Sequence, residues 1–221
     1  MRHELVVSAT ADAVAARAAS YVAGRARTAV AERGRFTFAV SGGHTPWAMF
    51  TELASEDVPW ANVDLFQVDE RIAPEGDSSR NLTHLRESIG DAPATIYPMP
   101  VNDADLDAAA TKYAAGLPER FDLVHLGLGP DGHTASLVPG DPVLSVTGVL
   151  VAVTQPYQEQ QRMTLTYPAL ARADQLLWLV TGADKQNALS RLLAGDESIP
   201  AGRVQAARSL VLADAAAAPD E

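Results

Sequence analysis

Apolar positions along the chain follow two alternating rhythms. Short, nearly continuous runs over 5–7, 36–40, 63–68, 121–126, 150–153, 176–180 and 210–212 read as strands. Between them the spacing becomes helical. From 11 to 32, Val14, Ala18, Tyr21, Val22, Ala26, Ala29 and Val30 recur at helical intervals, and Gly34 ends the pattern. A second helix is expected to open at Thr45-Pro46, with Thr45 able to cap it and Pro46 at its first position. Further helices are expected from a cap at Ser78 or Ser79 to Ile89, from a cap at Asp103 to near Gly116, and over 184–193. Alternating strands and helices with short connections predict an α/β fold with a largely parallel sheet. No repeat or low-complexity linker interrupts the chain, so residues 1–221 read as one domain whose tail, 215–221, is frayed.

Composition narrows the function classes. The 221 residues are 47% hydrophobic and 20% charged, an ordinary globular balance. No apolar run approaches the roughly 20 residues of a membrane-spanning helix. The start, Met1-Arg2-His3-Glu4, lacks the apolar core of a secretory signal, and a cytoplasmic protein is expected. There is no cysteine, which removes disulfides and thiolate metal sites. The net charge of -11 repels nucleic-acid backbones and anionic membranes, so neither is an expected partner. The sequence does not specify an oligomeric state. An anionic metabolite would need local cations and amide donors to overcome the overall field.

In an open parallel sheet, ligands bind beyond the carboxyl ends of the strands. The polar motifs lie there. After the strand at 36–40 comes Ser41-Gly42-Gly43-His44-Thr45-Pro46, where two glycines permit close backbone approach ahead of a helix N-terminus. Free amides at such a terminus suit a phosphate. No Gly-Lys-Ser/Thr follows, so this is not a Walker loop. After 63–68 comes Asp69-Glu70-Arg71. Arg71 offers a planar fork for a phosphate or carboxylate, with Asp69 or Glu70 to orient it.

After 121–126 comes Gly127-Leu128-Gly129-Pro130-Asp131-Gly132-His133-Thr134-Ala135-Ser136. Its formal G-x-G-x-x-G is no dinucleotide site. Only a few residues separate Gly132 from Pro139-Gly140, too few for the crossover helix, and the strand at 150–153 ends without the acidic residue that binds a ribose. No nicotinamide or other cofactor is therefore expected. The loop instead displays Asp131 and His133, two residues apart, at a strand end. Histidine can take a proton from water near neutrality, and a carboxylate can fix its tautomer. A metal is not expected, since no further His, Asp or Glu cluster completes a coordination shell. Ser136 is outside any G-x-S-x-G and reads as a capping residue. Arg162, near a strand start, and Lys185, in Thr181-Gly182-Ala183-Asp184-Lys185, can add charge to a phosphate site. Of the other histidines, His3 is terminal, His84 lies on a helix, His125 is packed in a strand and His44 can line the site.

Together these motifs resemble the 6-phosphogluconolactonase family, within the wider group that includes glucosamine-6-phosphate deaminases. The likeness runs from about Val40 to Leu189, through Ser41-Gly42-Gly43, Thr45-Pro46, Asp69-Glu70-Arg71 with Asn81, the Gly127–Leu137 loop with Pro139, Arg162-Met163-Thr164-Leu165 and Thr181-Gly182-Ala183-Asp184-Lys185. The resemblance implies a doubly wound, Rossmann-like sheet flanked by helices. It also implies hydrolysis of 6-phospho-D-glucono-1,5-lactone in the oxidative pentose phosphate pathway. His133 would be the base, paired with Asp131, and Arg71 and Arg162 would hold the phosphate with Ser41, Gly42, Gly43, Thr45 and Lys185. Asp69, Gly129 and Gly132 would complete the site. Independently of the resemblance, the backbone amides of the Gly129 to Gly132 loop are candidates to stabilise an oxyanion. Two positions depart from the family: His44 stands where a small hydroxyl residue is common, and Asn81-Leu82 replaces Asn-Tyr. Two other readings exist. A deaminase of the wider group continues after the histidine with Phe-Asn-Glu-Pro, whereas this chain has Ser136-Leu137-Val138-Pro139 and no carboxylate. A non-catalytic sugar-phosphate sensor would leave the His133 loop unexplained.

Overall fold

Alternation of side chains across each strand divides the interior into two layers. The computed structural model describes residues 2–219. The first half of the chain forms β1 (Glu4–Ser8), α1 (Ala11–Arg33), β2 (Phe36–Val40), α2 (His44–Leu53), β3 (Val63–Gln67), β4 (Asp69–Arg71), α3 (Asn81–Ile89) and β5 (Thr95–Tyr97). The second half forms α4 (Leu106–Ala115), β6 (Leu123–Leu126), β7 (Val151–Val153), β8 (Arg162–Leu165), α5 (Tyr167–Leu170), β9 (Gln175–Val180), α6 (Gln186–Leu193) and β10 (Arg208–Asp214). Seven strands make one sheet in the order β1-β10-β9-β6-β2-β3-β5, and every pairing in it is parallel. This is the doubly wound, Rossmann-like arrangement expected.

Helices cover both faces, which is why the strands read as continuous apolar runs. Phe38, Val40, Leu177 and Leu179 face α1, α2 and α3, where Val14, Ala18, Val22, Phe50 and Leu85 close one core. Ala39, Val124, Leu126, Trp178 and Val180 point to the opposite face, against Tyr113 of α4 and Leu189 and Leu192 of α6. α1 begins at Thr10, whose hydroxyl accepts from Ala13 N, and ends at Gly34 in the left-handed region, φ 75°.

Several boundaries differ from expectation. Thr45 and Pro46 are the second and third residues of α2, and Gly43 precedes it as the cap. Neither Ser78 nor Ser79 caps α3; it begins at Asn81, and its first amides bond to Glu70 from β4. Asp105, not Asp103, caps α4 by accepting from Ala108 N. A 3₁₀ turn, Ala183–Lys185, precedes α6. The tail is ordered further than expected. Ala217 is fully buried and its amide bonds to Asp214 Oδ1 at 2.9 Å, because the apolar residue finds a place in the core beside β10. Residues 220 and 221 lie outside the described residues.

The largest departure is a second sheet. Asp69–Arg71 and Arg162–Leu165 pair antiparallel, and β7 joins on the far side, giving the order β4-β8-β7. This small sheet stands beside the carboxyl ends of β2 and β6, adjacent strands whose chains leave in opposite directions. That is the switch point at which open α/β sheets form a crevice.

Candidate functional site

Three loops meet at this crevice. The first follows β2. Ser41 is anchored by its amide, which donates to His125 Nδ1 at 3.3 Å. His125 is fully enclosed, and burial lowers its pKa to about 3, so the ring is neutral. Gly42 lies so close to Asn81 that a Cβ would fall 2.0 Å from Asn81 Oδ1. Gly43 has φ 133°, and α2 starts directly after it. The amides of that first turn have no acceptor within the helix and carry its positive end. Thr45 shares a 2.7 Å hydrogen bond with Thr181, joining the loops after β2 and β9.

The second loop is β4 itself. Glu70 is fully buried and accepts from Gln67 Nε2, Arg71 N, Asn81 N and Leu82 N, each at 2.8–2.9 Å. It also pairs with the buried Arg80 at 3.1 Å. Glu70 therefore does not orient the Arg71 fork, and neither does Asp69. Arg71 Nη1 instead donates to the Ser79 carbonyl and to Asn81 Oδ1, both at 2.8 Å. Asn81 in turn donates to the Asp69 carbonyl at 3.0 Å. The Asp69 carboxyl accepts from Ser136 Oγ at 2.6 Å, so Ser136 is a buried partner of Asp69 rather than a helix cap. Burial pushes the Asp69 pKa up, opposed by the Ser136 bond and the charges of Arg71 and Arg162.

The third loop carries the histidine. Gly129 N donates to the His133 carbonyl at 2.8 Å, and Gly132 N to the Gly129 carbonyl at 2.9 Å. His133 N reaches Asp131 Oδ1 at 3.1 Å, and His133 Nδ1 meets the same oxygen at 2.6 Å. Burial raises the Asp131 pKa, but the hydrogen bonds from His133 outweigh it and leave the group below its usual range. An ionised Asp131 only accepts, so Nδ1 carries the proton and Nε2 presents its lone pair. The close winding needs glycine at two places. A Cβ on Gly129 would lie 2.0 Å from His133 Nδ1; one on Gly132, at φ 83°, would lie 2.5 Å from Ile199 Cβ. The same winding narrows which amides of the 129–132 loop are open to an oxyanion. Those of Gly129 and Gly132 are committed within the loop.

Arg162 enters from β8, and the register makes it the direct partner of Arg71. Among the described residues its side chain has no hydrogen-bond or ion-pair partner, and its Nε is buried without one. Burial lowers its pKa, partly offset by Asp69. Lys185, in the turn before α6, pairs with Asp184 at 2.9 Å.

These groups line one cavity of about 340 Å³. Ser41, Gly42, Gly43, Thr45, Asp69, Arg71, Gly129, His133, Arg162 and Lys185 all border it, as does His44. Asp131 stands behind His133 and Gly132 behind the loop, neither on the wall. Asn81 and Thr181 also border it. Asn81 belongs to a motif, but its seat for Arg71 has no local signature. A larger cavity of about 750 Å³ lies along β1 and holds none of the expected site residues. Among the described residues no three His, Asp or Glu side chains form a metal-binding group, and no helix is long and apolar enough to cross a membrane.

Comparison with known proteins points to one family, whose description names both isomerases and lactonases. The family model described as glucosamine-6-phosphate isomerases/6-phosphogluconolactonase matches residues 9–212. A 6-phosphogluconolactonase of Synechocystis sp. is 37% identical over 192 residues, covering 79% of this chain and 80% of its own. A 6-phosphogluconolactonase of Mycobacterium tuberculosis is 37% identical over 203 residues, 81% of this chain and 82% of its own. The crystal structure of a 6-phosphogluconolactonase from Shewanella baltica superposes with a TM-score of 0.85 at 25% identity, covering 97% of this chain and 98% of that one.

Proposed function

The chain belongs to the glucosamine-6-phosphate isomerase/6-phosphogluconolactonase family, and we propose that it is a 6-phosphogluconolactonase, hydrolysing 6-phospho-D-glucono-1,5-lactone to 6-phosphogluconate. One observation carries this reading. The free Nε2 of His133 opens into the cavity that Arg71 and Arg162 enter side by side from β4 and β8. Two guanidinium groups directly opposite on an antiparallel pair repel each other. A dianionic phosphate between them removes that repulsion.

The mechanism follows from base and cations bordering one cavity. The phosphate sits against Arg71, Arg162, Lys185 and the first-turn amides of α2, with Ser41 and Thr45 at its edge. Held at that end, the lactone carbonyl is delivered to His133, so remote binding energy is used for orientation. Nε2 takes a proton from water, and the water oxygen attacks C1. The bond from C1 to the ring oxygen then breaks, and the leaving oxygen recovers the proton from the imidazolium. Asp131, hydrogen-bonded to Nδ1, stabilises that cation while it exists.

A deaminase of the same family would need a carboxylate just after the histidine loop. Here Leu137 and Val138 occupy that segment and are buried. A cytoplasmic location is part of this proposal; a phosphorylated lactone is too charged to leave the compartment in which it forms, so enzyme and substrate share one. The test is to supply freshly prepared 6-phosphogluconolactone and, separately, glucosamine 6-phosphate, and to follow acid release and ammonia release. Acid release above the spontaneous rate supports the lactonase. Ammonia release, or no turnover of either, overturns it.

A further inference from the structure

Arg162 raises a question that the site as described does not answer. It is buried, it faces Arg71 across the sheet, and no carboxylate or carbonyl holds its guanidinium among the described residues. An arginine side chain left this way loses rotamer freedom when it binds an anion. One group does touch it. The ring of Tyr157 lies under the guanidinium, 5.2 Å from centroid to Cζ.

Tyr157 is itself held on three sides. Its ring meets His133 edge to face, with centroids 5.7 Å apart and planes at 62°. Its hydroxyl points to Asp131 Oδ2, 3.5 Å away. Burial and the Asp131 charge raise its pKa, so the phenol stays neutral and keeps its proton. Its backbone sits at the tip of the hairpin between β7 and β8, in reciprocal amide pairing with Gln160. The two turn residues between them, Gln158 and Glu159, both lie in the left-handed region, at φ 50° and 65°. A two-residue turn with both centres left-handed matches the twist of a hairpin, but it disfavours side chains other than glycine or asparagine. Gln160 Nε2 ties the hairpin to Ser79 Oγ at 3.2 Å, in the segment whose carbonyl holds Arg71. The hairpin is thus tied to the segment that holds Arg71, and one aromatic ring contacts both His133 and the unpaired arginine.

We propose that Tyr157 is a positioning residue, whose ring face seats the Arg162 guanidinium where it meets the phosphate of the substrate. This rests on the proposed lactonase reading for the identity of the substrate, but not for the anion. A ring face attracts a guanidinium without neutralising it, so Arg162 keeps its full charge for the ligand. A carboxylate in the same place would hold Arg162 more firmly and compete with the phosphate.

The experiment compares wild type with Y157F, Y157A and Y157L. KM and kcat are read with 6-phosphogluconolactone, and dissociation of inorganic phosphate by calorimetry. Y157A and Y157L are expected to raise KM and the phosphate Kd together by about tenfold, the scale of a partly desolvated cation–π contact. Their kcat should change by less than about threefold, since His133 and Asp131 keep their own bond. Y157F retains the ring face and should restore both KM and phosphate affinity to within about twofold of wild type. Unchanged phosphate affinity in Y157A and Y157L overturns the proposal. So does a Y157F as impaired as Y157A, or a loss confined to kcat. If wild type turns over no lactone, the reading of function fails while the phosphate titration still decides the role of Tyr157.

Discussion

Arg71 and Arg162 are direct partners across β4 and β8, two cations on one face of a short antiparallel ribbon. The arrangement carries electrostatic strain that a bound anion relieves. Arg71 is additionally locked by Ser79 and Asn81 at 2.8 Å, so it is aimed before the ligand arrives. Replacing Arg71 with Ala should raise KM by roughly 10- to 100-fold, the value of one or two charge-assisted hydrogen bonds, with little change in kcat. Steady-state kinetics check this. A fall in kcat at constant KM would place Arg71 at the reacting carbonyl instead.

His133 and the glycine beside it should fail together. His133→Ala is expected to lower kcat by roughly 10²–10⁴ without unfolding the chain. Gly129→Ala should come close to the same loss, because its Cβ would occupy a point 2.0 Å from His133 Nδ1 and 2.7 Å from Asp131 Oδ1. Circular dichroism distinguishes lost chemistry from lost fold. A fully active Gly129→Ala would show that the dyad tolerates displacement.

Glu70 makes a prediction about stability. Its carboxylate is enclosed with Arg80 and starts α3 by accepting from Asn81 N and Leu82 N. Removing one partner of a buried, hydrogen-bonded pair leaves the other charge unpaired. Glu70→Ala should therefore lose about 3–5 kcal/mol in urea unfolding. A loss under about 1 kcal/mol, as for an exposed ion pair, would contradict the enclosure of this pair.

His125 predicts an acid-sensitive component of stability. Burial lowers its pKa from 6.5 to about 3, so the unfolded chain binds the proton first. Its contribution is complete above the unfolded value and is lost as pH falls through the interval down to about 3. In His125→Asn the amide oxygen takes the place of Nδ1 as acceptor for Ser41 N, and nothing titrates. The stability of wild type relative to this variant should then fall by up to about 1.4 kcal/mol per pH unit through that range. A pH-independent difference would mean that the ring is not enclosed as a neutral group.

Much of the site was legible because its chemistry is packed into contiguous motifs. The loop from Gly127 to Ser136 holds His133, Asp131 and the glycines that let them approach, and the structure has Asp131 and His133 in contact at 2.6 Å. Roles that depend on distant partners are not written locally. Glu70 looked like a guide for Arg71 and is a helix cap eleven residues away in sequence. Ser136 looked like a cap and is a partner of Asp69, 67 residues away. Tyr157 sits in a polar stretch with no period to mark it.

By itself the sequence determined the alternating elements, the parallel sheet and the loops at its carboxyl ends. Those features follow from backbone preference and side-chain period, which act over a few residues and are written where they act. Only the tertiary structure decided that Asp69–Arg71 pairs with Arg162–Leu165 and brings two arginines face to face. It alone decided that the Gly129 and Gly132 amides are consumed within their loop and that His125 supports Ser41. Register between distant segments, and the choice of one partner by each buried polar group, are settled by packing the whole chain at once. No local stretch of sequence contains that choice.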